Sequence, residues 1–428
     1  MTAGATAVRA PAPTSLLRNR PMAALLVAEV LSTTGSQMTG LALPWFVLVT
    51  TGSAKQMALV VAAETAGFAL FAIPSGSLLA RFGPQRTMRL CDATRAPLML
   101  LVPLLHWSGD LTLPTLVVLA FVLGVASTPY GAAQHVIVAE ILDEDEAAVE
   151  RGNALLQGAT RITMLCGPAL GGILIAAVGS SWCFVVNAAS FLAVLAALLA
   201  MRPAELLPLE RGRRQSGLRA LREGIAYVRA SELLRVILPV GAALGAFGFS
   251  TMRTLLSVLA RDTLHGGPRT FGVLFAAYGA GAVVGALAGA ALSRTGRTLL
   301  VGGALLFSGT IVGLAPVHVT WLAAALLVVI GAGWATWSGQ ALAQVQLAAP
   351  DALRGRVISL YTYTIIASAP LGGLLGGWLA GVGGTELAFA VSGGAGASAA
   401  LLGGVALLGR RVPARHVPPE VPLQEEAA

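Results

Sequence analysis

The chain has 428 residues, of which 56% are hydrophobic and only 11% are charged. About a quarter of the residues in a soluble domain are charged, so this composition excludes an ordinary soluble multi-domain enzyme. The formal net charge of +8 does not indicate a nucleic-acid partner, because the basic residues concentrate in short segments between apolar runs, as they do in cytoplasmic loops of membrane proteins.

The apolar runs predict membrane-spanning helices. Many reach the ~18 residues needed to cross a hydrocarbon core ~30 Å thick, and they lack the two-residue alternation of barrel strands. We therefore predict an all-α membrane protein with twelve transmembrane helices. The predicted spans, in chain order, are residues 22–48, 56–79, 88–107, 112–138, 153–178, 181–201, 233–258, 271–292, 298–316, 319–345, 356–380 and 384–409.

The spans divide the chain into predicted domains and set its orientation. The domains are a cytoplasmic N-terminal tail (1–21), a first six-helix bundle (22–201), a central cytoplasmic loop (202–232), a second six-helix bundle (233–411) and a cytoplasmic C-terminal tail (412–428). Lys and Arg concentrate on the side of the two tails, which predicts that both termini are cytoplasmic in a multi-pass protein of the cell membrane. The other side holds Lys55, Arg253, Arg261 and Arg269.

Ionisable residues inside the first spans are candidates for function, because charge is costly in lipid. Glu29 lies in the first span and Glu64 near the middle of the second, while Arg161 lies about two turns into the fifth. Asp92 and Arg95 begin the third span and can form a local pair with a structural or gating role. A carboxyl group that alternates between apolar and cationic surroundings can bind and release a proton. The predicted proton-coupling residues are Glu64, Glu29 and Asp92, although Glu64 could instead simply reach water.

The loop after the second span, GSLLARFGPQR, is basic and contains no acid. A tight turn favours glycine, and arginines there can bond the free carbonyl groups of a helix C-terminus. Its pattern recurs in the second half of the chain, which predicts two parallel repeats with a substrate path at their interface. The repeated positions are Gly76, Arg81 and Gly83 in the first half, and Gly289, Arg294 and Gly296 in the second.

The fifth span contains GPALGG, residues 167–172, and the second half contains the related APLGG from Ala369. Pro168 lacks a backbone donor and kinks the helix, while Gly167, Gly171 and Gly172 permit close helix packing. Two interpretations remain open. The motif is either a passive packing kink or a rocking contact that shapes the transport path.

The central loop contains SGLRALREGIAYVRAS, which predicts an amphipathic surface helix. Such a helix either lies on an anionic leaflet or forms a solvated connection.

No motif of catalysis, metal binding or cofactor binding stands out. The acidic run DEDEAAVER is interpreted as a solvated loop, and the histidines and the three cysteines lack ligand or redox spacing. The glycine-rich runs follow no predicted strand, so they are packing surfaces rather than phosphate loops. We expect no enzymatic activity, no cofactor and no nucleic-acid partner.

These motifs resemble the major facilitator superfamily over about residues 20–411. The loop fits the family's G-x-x-x-D-R-x-G-R-R signature at Gly76, Arg81, Gly83 and Arg86, but Ala80 replaces its aspartate and Pro84 one of its arginines. GPALGG is similar to a signature of proton-exchanging exporters. The stretch LALPWFVLVTTGSAKQMALV looks most like the branch of drug, macrolide and siderophore exporters.

The resemblance implies a secondary transporter, a monomer in the lipid bilayer, that exports a hydrophobic or amphipathic compound in exchange for protons by alternating access. An importer of the same fold and a non-transporting regulator remain alternatives. The implied gating residues are Gly76, Arg81, Gly83, Arg86, Arg95, Arg161, Gly167, Pro168, Gly171 and Gly172. The implied cavity residues are Gln37, Trp45, Gln134, Phe247, Phe249, Trp334, Trp337 and Gln340.

Overall fold

The structure is a computed structural model that describes Leu16 and residues 18–142, 146–200, 217–291 and 296–408. Every regular element in these ranges is a helix. In chain order they are α1 (Arg20–Thr51), α2 (Ala54–Phe82), α3 (Pro84–Ser108), α4 (Leu113–Ile141), α5 (Glu146–Val178), α6 (Ser181–Ala200), α7 (Gly217–Ala230), α8 (Leu234–Ala243), a π-helical turn (Leu244–Ser250), α9 (Thr251–Val258), a second π-helical turn (Leu259–Thr263), α10 (Pro268–Ala291), α11 (Arg297–Leu314), α12 (Thr320–Ala348) and α13 (Asp351–Leu408).

Eight of the described helices are long and apolar enough to cross a membrane, judged by length and composition alone. They are Ala54–Ala72, Leu113–Ile141, Ser181–Ala200, Leu234–Thr263, Pro268–Gly289, Arg297–Leu314, Thr320–Ala348 and Leu353–Leu408. This count falls short of the twelve predicted spans for three reasons. Helices α1 and α3 carry polar and ionisable residues that lower their hydropathy, and α13 is one continuous element where two spans are predicted. In addition, the apolar part of α5 among the described residues is Cys166–Val178, which is shorter than a span.

Helix α13 bends at the position where the sequence predicts a boundary between spans. Gly383 and Gly384 leave helical geometry there, and Gly384 has a φ of 72°. This left-handed conformation is open to glycine at little cost. The bend therefore divides the 58-residue element into two arms, each long enough for a span.

The two repeated loops differ in backbone conformation. Gly83 has a φ of 75° and is followed by Pro84 at the start of α3, so this turn requires a left-handed residue. Gly296, its counterpart before α11, has a φ of −139° and is extended. Arg294 lies outside the described residues. Gly83 is therefore needed for its positive φ, whereas Gly296 adopts an extended conformation that other residues can also adopt.

The chain forms two compact units. The first comprises Met1–Ala42 and Phe71–Gly212, and in it α3 packs against α4 and α6. Its core includes Met22, Met88 and Val194, all fully buried.

The second unit comprises Leu43–Leu70 and Arg213–Ala428. Within it α12 packs against α10 and α11, and α11 packs against α13. A Cβ atom at Gly281 or Gly285 of α10 would overlap the backbone of α12, so the close crossing of these helices depends on glycine.

Helix α7 is the predicted surface helix of the central loop. The Tyr227 hydroxyl donates a hydrogen bond to the carbonyl oxygen of Ala348, at the end of α12, at 2.5 Å. Glu223 forms an ion pair with Arg356 near the start of α13. These contacts fix α7 on the helices of the second unit. Burial by them raises the pKa of the Tyr227 phenol, because the charged form is disfavoured away from water.

Candidate functional site

A buried cluster of charged residues lies in the first unit. Asp92 and Arg95 stand one turn apart on α3 and form an ion pair, as their i, i+3 spacing predicts. Asp92 is 0% exposed, Arg95 5% and Glu29, on α1, 6%. Asp92 and Glu29 interact electrostatically. The structure therefore brings two of the predicted proton-coupling carboxylates, Glu29 and Asp92, near enough to interact, with the Arg95 guanidinium paired to Asp92.

Two aromatic rings hold the Arg95 guanidinium. Its central carbon lies 4.3 Å from the ring centre of Tyr130 on α4 and 4.2 Å from that of Phe191 on α6. A cation between two aromatic faces is attracted by the negative charge of both faces. Neither ring was predicted from the sequence, because nothing in the spacing along one helix indicates which neighbouring helix faces Arg95.

Several polar atoms of this cluster have no hydrogen-bond partner. The Thr33 hydroxyl donates to Oε1 of Glu29 at 2.6 Å. The atoms without a partner are Oε2 of Glu29, Oδ2 of Asp92, Nε of Arg95 and the hydroxyl of Tyr130. Buried polar groups are normally paired, so this cluster is unusual in leaving both acceptors and donors without partners. Arg161 lies on α5, and its side chain is outside the described part of the structure.

Glu64, the third predicted carboxylate, lies elsewhere, in the second unit. Its side chain is half-buried on α2, and Arg253 of α9 acts on it electrostatically. The sequence reveals no such neighbour, because Arg253 is distant along the chain. Glu64 thus has a cation of its own and no part in the cluster around Arg95.

The glycines of GPALGG lie against α1. A Cβ atom on Gly167 would lie 2.6 Å from Cβ of Gln37, and one on Gly171 would lie 3.1 Å from Cα of Met38. Pro168 and Gly172 are also buried. The motif is therefore a close helix crossing, and Gln37, a predicted cavity residue, lies at this crossing.

The predicted loop residues lie at the surface. Gly76 is exposed with open space beside it, Arg86 is exposed, and the Arg81 guanidinium stands 5.4 Å from the centre of the Phe82 ring. The predicted bond to a helix C-terminus is made instead by Arg89, whose Nε and Nη2 atoms donate to the carbonyl oxygen of Leu198 on α6 at 3.1 and 2.5 Å.

An aromatic cluster occupies the second unit. Phe249 stacks on Trp334 with ring centres 4.9 Å apart, and Trp334 lies 5.4 Å from Trp337. The structure adds Phe307, 5.1 Å from Trp334, and Tyr361, 6.5 Å from Trp337. The cluster therefore joins side chains from four elements, α11, α12, α13 and the π-helical turn. The sequence predicts three of its five rings, those of Phe249, Trp334 and Trp337.

The remaining predicted cavity residues lie away from this cluster. Trp45 is buried and stacks on Phe271 at 5.6 Å. Gln340 is buried and accepts a hydrogen bond from the backbone amide of Gly296 at 3.3 Å, so its amide group supports the loop before α11. Gln134 and Phe247 are half-buried.

Comparison with known proteins places this architecture in a family. The model of the transmembrane secretion effector family matches residues 11–424. The multidrug efflux pump Tap of Mycobacterium tuberculosis H37Rv is 28% identical over 379 residues, which cover 86% of this chain and 89% of Tap. The enterobactin exporter EntS of Escherichia coli K12 is 29% identical over 420 residues, covering 95% of this chain and 96% of EntS.

Solved structures share the fold. A variant of the nucleoside transporter NupG has a TM-score of 0.77 at 11% identity, covering 90% of this chain and 99% of that one. A variant of a POT peptide transporter has a TM-score of 0.73 at 13% identity, covering 90% and 94%. The fold and the match over nearly the whole length agree, and the chain belongs to the transmembrane secretion effector family of the major facilitator superfamily, a family of membrane transporters.

Proposed function

We propose that this transporter exports a hydrophobic or amphipathic organic compound, such as a drug, an antibiotic or a secondary metabolite. The observation that carries the proposal is the similarity, over most of the chain, to proteins named as a multidrug efflux pump and an enterobactin exporter. Export is favoured over import by the same two relatives. A non-transporting regulator of the same fold is the remaining alternative.

The aromatic cluster of the second unit supports this class of substrate. Phe249 of the π-helical turn and Trp334 of α12, both half-buried, offer flat apolar faces, and Trp337 is fully buried behind them. Aromatic walls with few fixed charges suit bulky organic molecules, whereas a phosphate or dicarboxylate substrate would need converging arginines. In the described part of this cluster no arginine stacks on or bridges the rings.

The transport cycle that we propose is alternating access in a monomer with twelve transmembrane helices and cytoplasmic termini. The bend of α13 at Gly384 supplies one of the helix boundaries that this count requires. The arginine-rich segments around the two tails and the central loop support the orientation. No cofactor is proposed, because the proton gradient would drive the cycle.

Proton coupling is the second element of the proposal, and the cluster around Arg95 supports it. Asp92 pairs with Arg95, Glu29 acts electrostatically on Asp92, and each carboxylate has an oxygen without a hydrogen-bond partner. We therefore place the exchanged proton on this pair of buried carboxylates. Glu64, which has Arg253 as its own cation, ranks behind them.

The experiment is a susceptibility panel with cells that express the transporter and cells that do not, with and without a protonophore. We expect expression to raise resistance to at least one bulky organic compound, and the protonophore to abolish that protection. If no compound among chemically diverse drugs is affected, the export proposal fails. Protection that persists with the protonophore would remove proton coupling and keep export.

The carboxylates are tested in the same cells. We expect Glu29→Gln and Asp92→Asn to remove the protonophore-sensitive protection at normal expression, and Glu64→Gln to retain most of it. The control is Glu386→Gln, because Glu386 is exposed and contacts His318 at the surface. Full protection by both Glu29→Gln and Asp92→Asn would exclude this cluster as the proton site.

A further inference from the structure

A pocket separate from the aromatic cluster opens in the second unit, where α8 and α11 begin and α13 ends. Its volume is about 190 Å³. Its walls combine charged and apolar side chains, from Glu232, Leu233, Arg235, Val236, Arg297 and Leu407. None of these residues takes part in the sites described above.

The charges of this pocket favour an anion. The lining includes two arginines, Arg235 and Arg297, and one acid, Glu232, which gives a formal net charge of about +1. Nη1 of Arg297 donates to the carbonyl oxygen of Leu407 at 3.4 Å, and this contact holds its guanidinium at the wall. Arg235 is exposed, and its guanidinium is able to reach a ligand.

The backbone adds to this preference. Arg297 is the first residue of α11, and Gly296 before it offers no side chain to accept hydrogen bonds from the first amide groups. Helix α8 begins at Leu234, between the pocket residues Leu233 and Arg235. The first amide groups of α8 already donate to Ser231 and Leu233. The N-terminus of α11 carries a partial positive charge without a side-chain cap, so it strengthens the attraction of the pocket for an anion.

We propose that this pocket binds a phosphate ester that carries one negative charge. Arginine binds phosphate oxygens through two parallel hydrogen bonds, and one negative charge would neutralise the pocket. Leu233, Val236 and Leu407 provide an apolar wall for the glycerol part of such an ester, and the Glu232 carboxylate can accept hydrogen bonds from its hydroxyl groups. Phosphatidylglycerol in the adjacent leaflet is a diester with one negative charge. Soluble glycerol phosphate offers the same phosphate and glycerol groups with nearly two negative charges.

The test is thermal unfolding of the purified full-length protein in detergent, with phosphatidylglycerol, phosphatidylcholine, glycerol phosphate or inorganic phosphate added. A ligand that binds only the folded state raises the unfolding temperature. We expect phosphatidylglycerol to raise it and phosphatidylcholine, which has no net charge, to leave it unchanged. If glycerol phosphate raises it as much as phosphatidylglycerol does, the site takes a soluble ester.

Three variants assign the effect to the pocket. Arg235→Gln removes an exposed side chain and should weaken binding about tenfold, the value of one charged hydrogen bond. Glu232→Gln removes the opposing charge and should strengthen binding of inorganic phosphate. The matched control is Arg229→Gln, because Arg229 is an exposed arginine of α7 outside the pocket. The proposal is overturned if no anion raises the unfolding temperature, or if Arg235→Gln and Arg229→Gln lower the effect equally.

Discussion

Arg95 organises the buried charges of the first unit at the level of single residues. It pairs with Asp92 on its own helix and lies between the rings of Tyr130 and Phe191.

The loop after α2 lacks the acid that the family signature has there, since Ala80 occupies its position. Asp92 does not replace that acid, because it is fully buried against Arg95 while Arg81 lies at the surface over Phe82.

This arrangement predicts an unequal effect of single and double substitutions. Arg95→Gln leaves Asp92 buried without its cation and should lower the free energy of unfolding by ~3–5 kcal/mol. The double variant Arg95→Gln/Asp92→Asn should lower it less, because no lone charge remains in the core. The measurement is thermal unfolding of the purified protein in detergent. Arg86→Gln, an exposed arginine of the same helix, is the control and should have no effect. A double variant less stable than Arg95→Gln would contradict this account.

At the level of helices, the related Leu-Gly-Gly sequences of the two halves meet their neighbours at different distances. In α5, a Cβ on Gly171 would lie 3.1 Å from the Met38 backbone of α1, which a small shift can accommodate. In α13, a Cβ on Gly372 would overlap the carbonyl group of Ala246. The repeat is therefore conserved between the halves in sequence but not in the tightness of its helix crossing.

We expect Gly372→Ala to be more destabilising than Gly171→Ala. The added methyl group at position 372 meets backbone atoms that cannot rotate away, so α13 must move from the π-helical turn, as overpacked cores do at a cost of ~1–3 kcal/mol. The measurement is the yield of monodisperse protein together with its unfolding temperature. Gly394→Ala is the control on the same helix, because nothing lies within 4 Å of a Cβ there. Equal effects at positions 171 and 372 would show that the crossing of α13 is looser than described.

At the level of the whole molecule, the compact units do not follow the two halves of the sequence. Leu43–Leu70, from α1 and α2, belongs to the second unit. Nη1 of Arg261 donates to the carbonyl oxygen of Leu48 at 2.6 Å, and the Ser257 hydroxyl contacts the Met57 sulfur at 3.0 Å. A Cβ on Gly377 would overlap Ala58. These contacts fix the end of α1 and the start of α2 among the helices of the second unit.

Arg261 holds the end of α1 through its bond to Leu48, so Arg261→Gln should loosen the packing of α1 and α2 at this end. The probe is a cysteine at position 58, in a background in which Cys91, Cys166 and Cys183 are replaced by alanine. We expect a membrane-impermeant maleimide to label it several-fold faster in the Arg261→Gln variant. Arg269→Gln serves as the control, because Arg269 is an exposed arginine near the same end. An unchanged labelling rate in the Arg261→Gln variant would show that Arg261 does not hold α1 and α2 in place at this end.

The sequence by itself determined the features that depend on neighbouring residues. Apolar runs that must satisfy their own backbone groups in lipid predict helices. The turn at Gly83, the bend near Gly384 and the Asp92–Arg95 pair follow from local geometry in the same way. Membership of the superfamily was also predictable, because its motifs are short and continuous.

Only the tertiary structure decided which helix faces each of these residues. The spacing along α3 places Asp92 and Arg95 on one face, but it does not reveal that Glu29, Tyr130 and Phe191 surround them. In the same way, the sequence does not reveal that Arg253 is the cation beside Glu64. Helix periodicity fixes where a side chain points around its own axis, whereas packing between helices distant in the chain decides what it meets. The surroundings of the buried charges, and with them the chemistry of the site, depend on this packing between helices.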